Sequence, residues 1–384
     1  MSKELCRDVY VGAAGTYDVE KIVSELRAAF DALNIDISRL AGKKVAIKPN
    51  LVMKKAPDGA ATTHPAVIEA VLILCNEAGI TPVIAESPGG VYSAQKLEAS
   101  YRICGIADAA SGHDCVLNTD VSSKKMASEN GKSVKAFNII APIADADVII
   151  NVCKLKSHSL TKMSAATKNL FGTVPGIEKF ELHAAHPDVS DFTSMLCDLA
   201  EMLCEKKEMI CITDGIVGME GEGPTGGTPR KMGVLLVSRS PFASDVVAAD
   251  VLGFGEDGVM LVSEAIRRGL APQRGDVTVY GASVDSCRVP DFVMPRSQNI
   301  PKLKFFSEGP IGKLFMPRPK VTKKCRACGE CVASCPQKTI KIEKGRAKIN
   351  RKRCIRCYCC QELCPFAAIK THRNPIISIV SKLK

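Results

Sequence analysis

At 384 residues the chain exceeds one ordinary core and has the length of two or three domains of roughly 100–200 residues each. Its 46% apolar and 24% charged content excludes wholesale disorder, and no uncharged run is long enough to span a bilayer. The net charge of +11 is uneven: residues 321–384 hold 16 Lys/Arg against three Glu, a net of +13, and the other 36 Lys/Arg and 38 Asp/Glu leave −2.

The opening MSKELCRDVY has no apolar core behind its charges, so the expectation is a cytoplasmic chain whose 18 cysteines serve metal, catalysis or burial rather than disulfides. Val19, Ile22, Val23, Leu26, Ala29, Phe30 and Leu33 recur on one helical face. Residues 44–48 read as a buried strand, 65–78 as a helix with proline in its first turn, and 81–86 as a returning strand. Further strands are expected at 147–152, 209–213, 233–238 and 277–280, with helices at 189–205, 243–252 and 259–268. Strands alternating with helices predict an α/β domain over 1–298, its mainly parallel sheet covered on both faces. A basic Pro/Lys-rich tether at 299–320 leads to a small α+β module at 321–371 and a tail at 372–384.

Ligands of such sheets bind beyond the carboxyl ends of the strands. Polar residues gather there: Lys48 and Asn50 after one strand, Lys154, Lys156 and His158 after another, and Asp214 with Glu220 after a third. Lys168 and Asn169 follow in SAATKNLFG, and TPVIAESPGG ends a strand in a Pro-Gly-Gly loop whose amides suit an anion. Taken singly, a lysine is usually a solvated group and an aspartate a turn residue, so the convergence carries the inference of a cationic pocket for a carboxylate or phosphate. His183 and His186 are spaced to ligate a metal, although loop histidines alone are weak evidence for one. Gly253-Phe-Gly255-Glu-Asp-Gly258 matches a dinucleotide fingerprint by letter but follows a helical pattern, and Gly218–Pro229 lacks a phosphate-loop lysine.

Nine cysteines crowd the last module. Cys325, Cys328, Cys331 and Cys335-Pro336 repeat after 29 residues as Cys354, Cys357, Cys360 and Cys364-Pro365. Three thiolates at this spacing wrap one face of a cubane, and the fourth reaches the other cluster. The expected sets are Cys325, Cys328, Cys331 and Cys364 on one [4Fe–4S] cluster, and Cys354, Cys357, Cys360 and Cys335 on a second. Structural zinc would instead come as CxxC pairs with long spacers. Cys359 beside a ligand reads as a bystander, and the single cysteines from Cys6 to Cys287 read as small buried residues. With only Tyr358 and Phe366 to stack bases, the basic segment is expected to offset cluster charge and dock an acidic redox partner, not nucleic acid.

The last module resembles the bacterial dicluster ferredoxins over residues 321–371. The first domain resembles the iron–sulfur family known as domain of unknown function 362 (DUF362). The likeness rests on IKPNLV (47–52), KLKSHSLTKMSAATKNLFGTVPG (154–176), the following His183 or His186, TDGIVGMEGEGPTGG (213–227) and SPFASDVVAADVLG (240–253). Ser244-Asp245-Val246 stands where the family pattern has Asp followed by Pro, which leaves Asp245 and Asp250 unassigned. The order of motifs is also similar to the lactate racemase superfamily, a resemblance that implies two α/β lobes with a cleft.

Two functions follow as expectations. In the first, an oxidoreductase passes electrons through two clusters to an anionic small molecule held by Lys48, Asn50, Lys154, Lys168 and Asn169. Lys156 and His158 would then do the chemistry, with His158 as proton donor and Asp214 or Glu220 orienting it or holding a metal. In the second, a ferredoxin-type carrier has an α/β domain that docks partners or senses a ligand. Oxygen-labile clusters suggest an anaerobic setting, and a further metal or organic cofactor in the first domain stays open.

Overall fold

A computed structural model describes residues 5–295 and 317–372. The strands are β1 (Asp8–Ala13), β2 (Val45–Lys48), β3 (Val83–Ile84), β4 (Val116–Leu117), β5 (Ser123–Ala127), β6 (Ala136–Ile140), β7 (Val148–His158), β8 (Lys162–Ser164), β9 (Glu208–Glu220), β10 (Thr228–Ser238) and β11 (Thr278–Gly281). The helices of the same region are α1 (Val19–Ala32), α2 (Pro65–Glu77), α3 (Ala94–Ile103), α4 (Ile106–Ala110), α5 (Ala141–Ala144), α6 (Ala166–Asn169), α7 (Glu178–Ala185), α8 (Val189–Lys206), α9 (Pro241–Val251) and α10 (Met260–Arg267).

Nine strands form one sheet in the order β11-β1-β10-β9-β7-β2-β3-β4, with β8 hairpinned onto β7. The centre and one flank, β9-β7-β2-β3-β4, are parallel, whereas β10 runs antiparallel to both β9 and β1. The fold is α/β, with a mainly parallel mixed sheet.

Alternation along each central strand divides the core. Val148, Ile150, Val152, Ile210, Ile212, Leu235 and Val237 pack with α1 and α2, while Ile149, Met209, Cys211, Val234 and Leu236 pack with α8, α9 and α10. Side chains buried on both faces explain why these strands read as continuous apolar runs.

The strands extend further than their apolar runs. β7 continues through Lys154, Lys156 and His158, and β9 through Asp214 to Glu220, so these residues lie within strands rather than in loops after them. The glycine run 253–258 connects α9 to α10. Beside this sheet, β5 and β6 pair with each other as a separate two-stranded sheet.

In the last module, β12 (Arg318–Val321) pairs with β15 (Ile369–His372), and β13 (Ile340–Glu343) with β14 (Arg346–Ile349). Residues 318–320, expected in the tether, thus pair within this module together with Val321. Residues 299–316 of that tether and 373–384 of the tail lie outside the described residues. Among the described residues no helix is long and apolar enough to cross a membrane.

Candidate functional site

Where β2, β3 and β7 end, polar side chains line a cavity that includes Asn50, Glu86, Lys156, His158, Lys168, Asn169, Lys179 and His183. Lys48 reaches the same place from the end of β2, fully buried and ion-paired with Glu86. Gly172 lets both approach, since a Cβ there would lie 2.2 Å from Glu86 Oε1 and 2.6 Å from Lys48 Nζ.

An amide relay sets the floor. Asn151 Oδ1 accepts from Asn169 Nδ2 (2.8 Å), Asn169 Oδ1 from Asn50 Nδ2 (2.7 Å), and Asn50 Oδ1 from Lys156 Nζ (2.7 Å). Lys156 also donates to the Ala61 carbonyl, so its hydrogen-bond acceptors are all uncharged. Burial, with Lys168 and Lys154 nearby, lowers its pKa to about 7. Lys179, which donates to the Ser87 carbonyl, is lowered to about 7 by burial as well. Lys168 makes no hydrogen bond or ion pair among the described residues and lies over the ring of Phe171 at 4.8 Å; burial also lowers its pKa. Lys156 and Lys179 sit near neutrality, where an amine can both hold an anion and move a proton.

His158 does not suit the acid role expected of it. Its Nδ1 accepts the amides of Leu160 (3.1 Å) and Thr161 (3.3 Å), which puts the ring proton on Nε2. Burial and the neighbouring lysines hold its pKa well below the usual histidine range, so the ring is neutral. His183 is likewise neutral, lowered to about 3 by burial and by Lys168 and Lys179, and it stacks on Phe192 at 4.3 Å. His186 turns away to Asp191 (2.9 Å), so the two histidines do not converge on a metal.

Three further expected residues lie outside the cavity. Lys154 and Asp214 form a buried pair (2.6 Å), with Asp214 also accepting from Tyr17 Oη (2.9 Å) and the His64 amide (3.0 Å). Each charge compensates the other, which lets two strands carry them through the core. Glu220 faces Arg230 (3.7 Å) and the Val293 amide (3.2 Å). Asp214 and Glu220 therefore do not orient His158. In the Pro-Gly-Gly loop the Gly89 amide already donates to Val52 O, and the Ser87 amide before it to Gly172 O.

The wall of the cavity comes from the last module. Cys359, Glu362 and Leu363 line it, from the short helix Cys359–Glu362 and the residue after it. Glu362 Oε1 lies 3.3 Å from His158 Nε2 but lacks hydrogen-bond alignment and is left buried without a donor. Thr225 donates to the Glu362 carbonyl (2.8 Å), Gln361 Nε2 to Ser159 Oγ (3.3 Å), and Leu363 packs with Phe180 and Cys359. Ser87 Oγ and His183 Nδ1 are also buried without partners, so three orphan polar atoms face this cavity. Unmet polar groups of this kind mark a place for a polar ligand or water.

The module's thiols surround two other cavities. Cys325, Cys328, Cys331 and Cys364 line one; Cys335, Cys354, Cys357 and Cys360 line the other. Among the described residues no three His, Cys, Asp or Glu side chains converge on a point that would hold a single ion. Amides already aim at sulfur, from Ala347 to Cys325 (3.4 Å), Thr339 to Cys335 (3.3 Å) and Ala368 to Cys364 (3.2 Å). Four thiols around a void with N–H donors behind them fit an iron–sulfur cluster.

A mixed α/β sheet joined to a thiol-rich module defines an iron–sulfur protein with a ferredoxin-type domain. Residues 45–250 match the model of the family "Domain of unknown function (DUF362)", and 320–365 match a "4Fe-4S dicluster domain". The chain belongs to the DUF362 family. It is similar to the "Thylakoid-associated protein sll1697" of Synechocystis sp., 30% identical over 295 residues that cover 75% of this chain and 89% of that protein. Among solved structures it is similar to the lactate racemase apoprotein of Thermoanaerobacterium thermosaccharolyticum, with a TM-score of 0.40 and 13% identity, over 63% of this chain and 56% of that one.

Proposed function

We propose that the protein is an oxidoreductase that delivers electrons to a small anionic molecule bound in the lysine-lined cavity. One [4Fe–4S] cluster would be held by Cys325, Cys328, Cys331 and Cys364, and a second by Cys335, Cys354, Cys357 and Cys360. When bound, such clusters supply single electrons at low potential. The observation that carries this reading is the position of Cys359, which lines both the second thiol cavity and the lysine cavity. A site for electrons and a site for an anion thus share one wall.

The chain's own residues account for the remaining work. Lys168 and Lys179 hold the anion and offset negative charge that develops on reduction. Lys156, with its pKa near 7, donates the proton in the role expected of His158. Neutral His158 lines the cavity beside Glu362, and Asn50 orients the Lys156 amine.

The test uses anaerobic, iron-loaded full-length protein reduced with dithionite and freed of excess reductant. Cluster reoxidation is followed by visible absorbance against a panel of short carboxylates and phosphate esters. At least one compound should reoxidise the protein, and Lys156→Gln or Lys168→Gln should slow it by about 10²-fold or more, the scale of a lost proton donor or charge stabiliser. If no small anion does so while other electron-carrier proteins do, the carrier reading replaces this one.

A further inference from the structure

The two thiol cavities differ in what surrounds them. The second lies against the α/β domain, where Cys359 and Leu363 pack on Phe180. The first opens outward. Cys328 is exposed, and two large apolar side chains in its lining, Ile342 and Phe366, are 40% and 44% exposed. Lys323, Lys324, Lys344 and Arg346 stand exposed in the segments that carry this cavity. Nearby acidity is slight: Glu343 is tied to Lys348 at 2.8 Å, and Glu330 is half-buried.

An exposed apolar centre with a cationic rim has the anatomy of a protein-docking patch. We propose that this face docks a small acidic electron-carrier protein, so that electrons enter beside Cys328 and leave beside Cys359. Each encounter moves one electron from the reduced partner to this chain and leaves the partner oxidised by one electron, with no atom transferred. Charge complementarity selects the partner, because the +13 of residues 321–384 steers an acidic protein and repels a basic one. Phe366 is the single exposed aromatic side chain among the described residues of the module, too few for the stacking platform of a nucleic-acid site. The proposal rests on the electron-transfer reading above but not on the identity of the anion.

The experiment measures binding of full-length, iron-loaded protein to four probes: an acidic flavodoxin, an acidic plant-type ferredoxin, a basic cytochrome c and a DNA duplex. At least one acidic carrier should bind, with affinity falling about tenfold or more from low to physiological salt. Lys344→Glu with Arg346→Glu, and separately Lys323→Glu with Lys324→Glu, should each weaken it about tenfold while iron content stays at the wild-type level. The proposal is overturned if neither acidic carrier binds, if cytochrome c or DNA binds more tightly, or if neither charge reversal alters affinity. An anion that reoxidises the protein without any acidic carrier binding would remove the docking face and leave the proposed function. Carrier binding at this face with no reactive anion would do the reverse.

Discussion

For the proposed anion, Lys156 would make the affinity of the cavity depend on pH in a definite direction. Its pKa of about 7 comes from burial and from nearby Lys168 and Lys154. A bound anion favours the ammonium, so binding above pH 7 draws in a proton, and each further pH unit weakens it up to about tenfold. Calorimetry at pH 8 in two buffers of different ionisation heat should therefore report uptake of about one proton with the bound anion, and little at pH 6. Lys156→Met should abolish that uptake; if it persists, Lys179, also lowered to about 7, is the titrating amine. The stability of the free protein runs the other way. Between pH 7 and the ordinary lysine value of 10.5 the unfolded chain binds more protons at this position than the folded one. This contribution therefore makes the fold more stable as pH rises through the window, and less stable as pH falls towards 7.

At the scale of an element, α6 shows how a four-residue helix can hold two site residues in place. Asp245, 2% exposed on α9, accepts the amide of Ala166 at 2.7 Å and that of Thr167 at 3.1 Å, which fixes the turn bearing Lys168 and Asn169. Burial raises its pKa to about 7 against those two donors. Asp245→Asn would point an NH₂ at one amide, so unfolding in urea should show a loss of about 1–3 kcal/mol, with weaker anion binding. Because the wild-type carboxyl holds its proton to higher pH folded than unfolded, its contribution makes stability fall from about pH 4 to pH 7, and the variant should flatten that slope. Asp245 was visible in the sequence only as a departure from the family pattern, since a buried carboxylate on a helix carries no local signature. The central strands were legible because apolar runs buried on both faces are conspicuous. Their ends were not, because a Lys154–Asp214 pair that compensates itself inside the sheet looks like a loop in either strand taken alone. Lys48, Asn50, Lys156, His158, Lys168 and Asn169 share the cavity or its edge, as their strand-end placement suggested. Glu86 and Lys179 were missed: each is a single charge whose partner lies in another element.

For the whole molecule, the site is completed by the ferredoxin-type module, and nothing local in the cysteine motif says which of its faces docks. Gly89 is the one trace in the sequence, for a Cβ there would lie 2.5 Å from Leu363 Cδ2. The contact itself combines a small apolar cluster, Phe180, Cys359 and Leu363, with hydrogen bonds from Thr225 and Gln361. Full burial of a Phe side chain is worth about 1.5–3 kcal/mol, so placing a charge there should lower the docked population by tenfold or more. Phe180→Asp should therefore raise hydrogen exchange at 359–363 and 157–159, while amides in the first half of β7 keep their protection. Anion binding should weaken in the same variant, because Glu362 and Cys359 no longer close the cavity. If 359–363 stays protected, the hydrogen bonds hold the module without the apolar cluster. If 359–363 opens while anion affinity is unchanged, the lysines alone form the binding site, and the shared wall serves electron delivery rather than recognition.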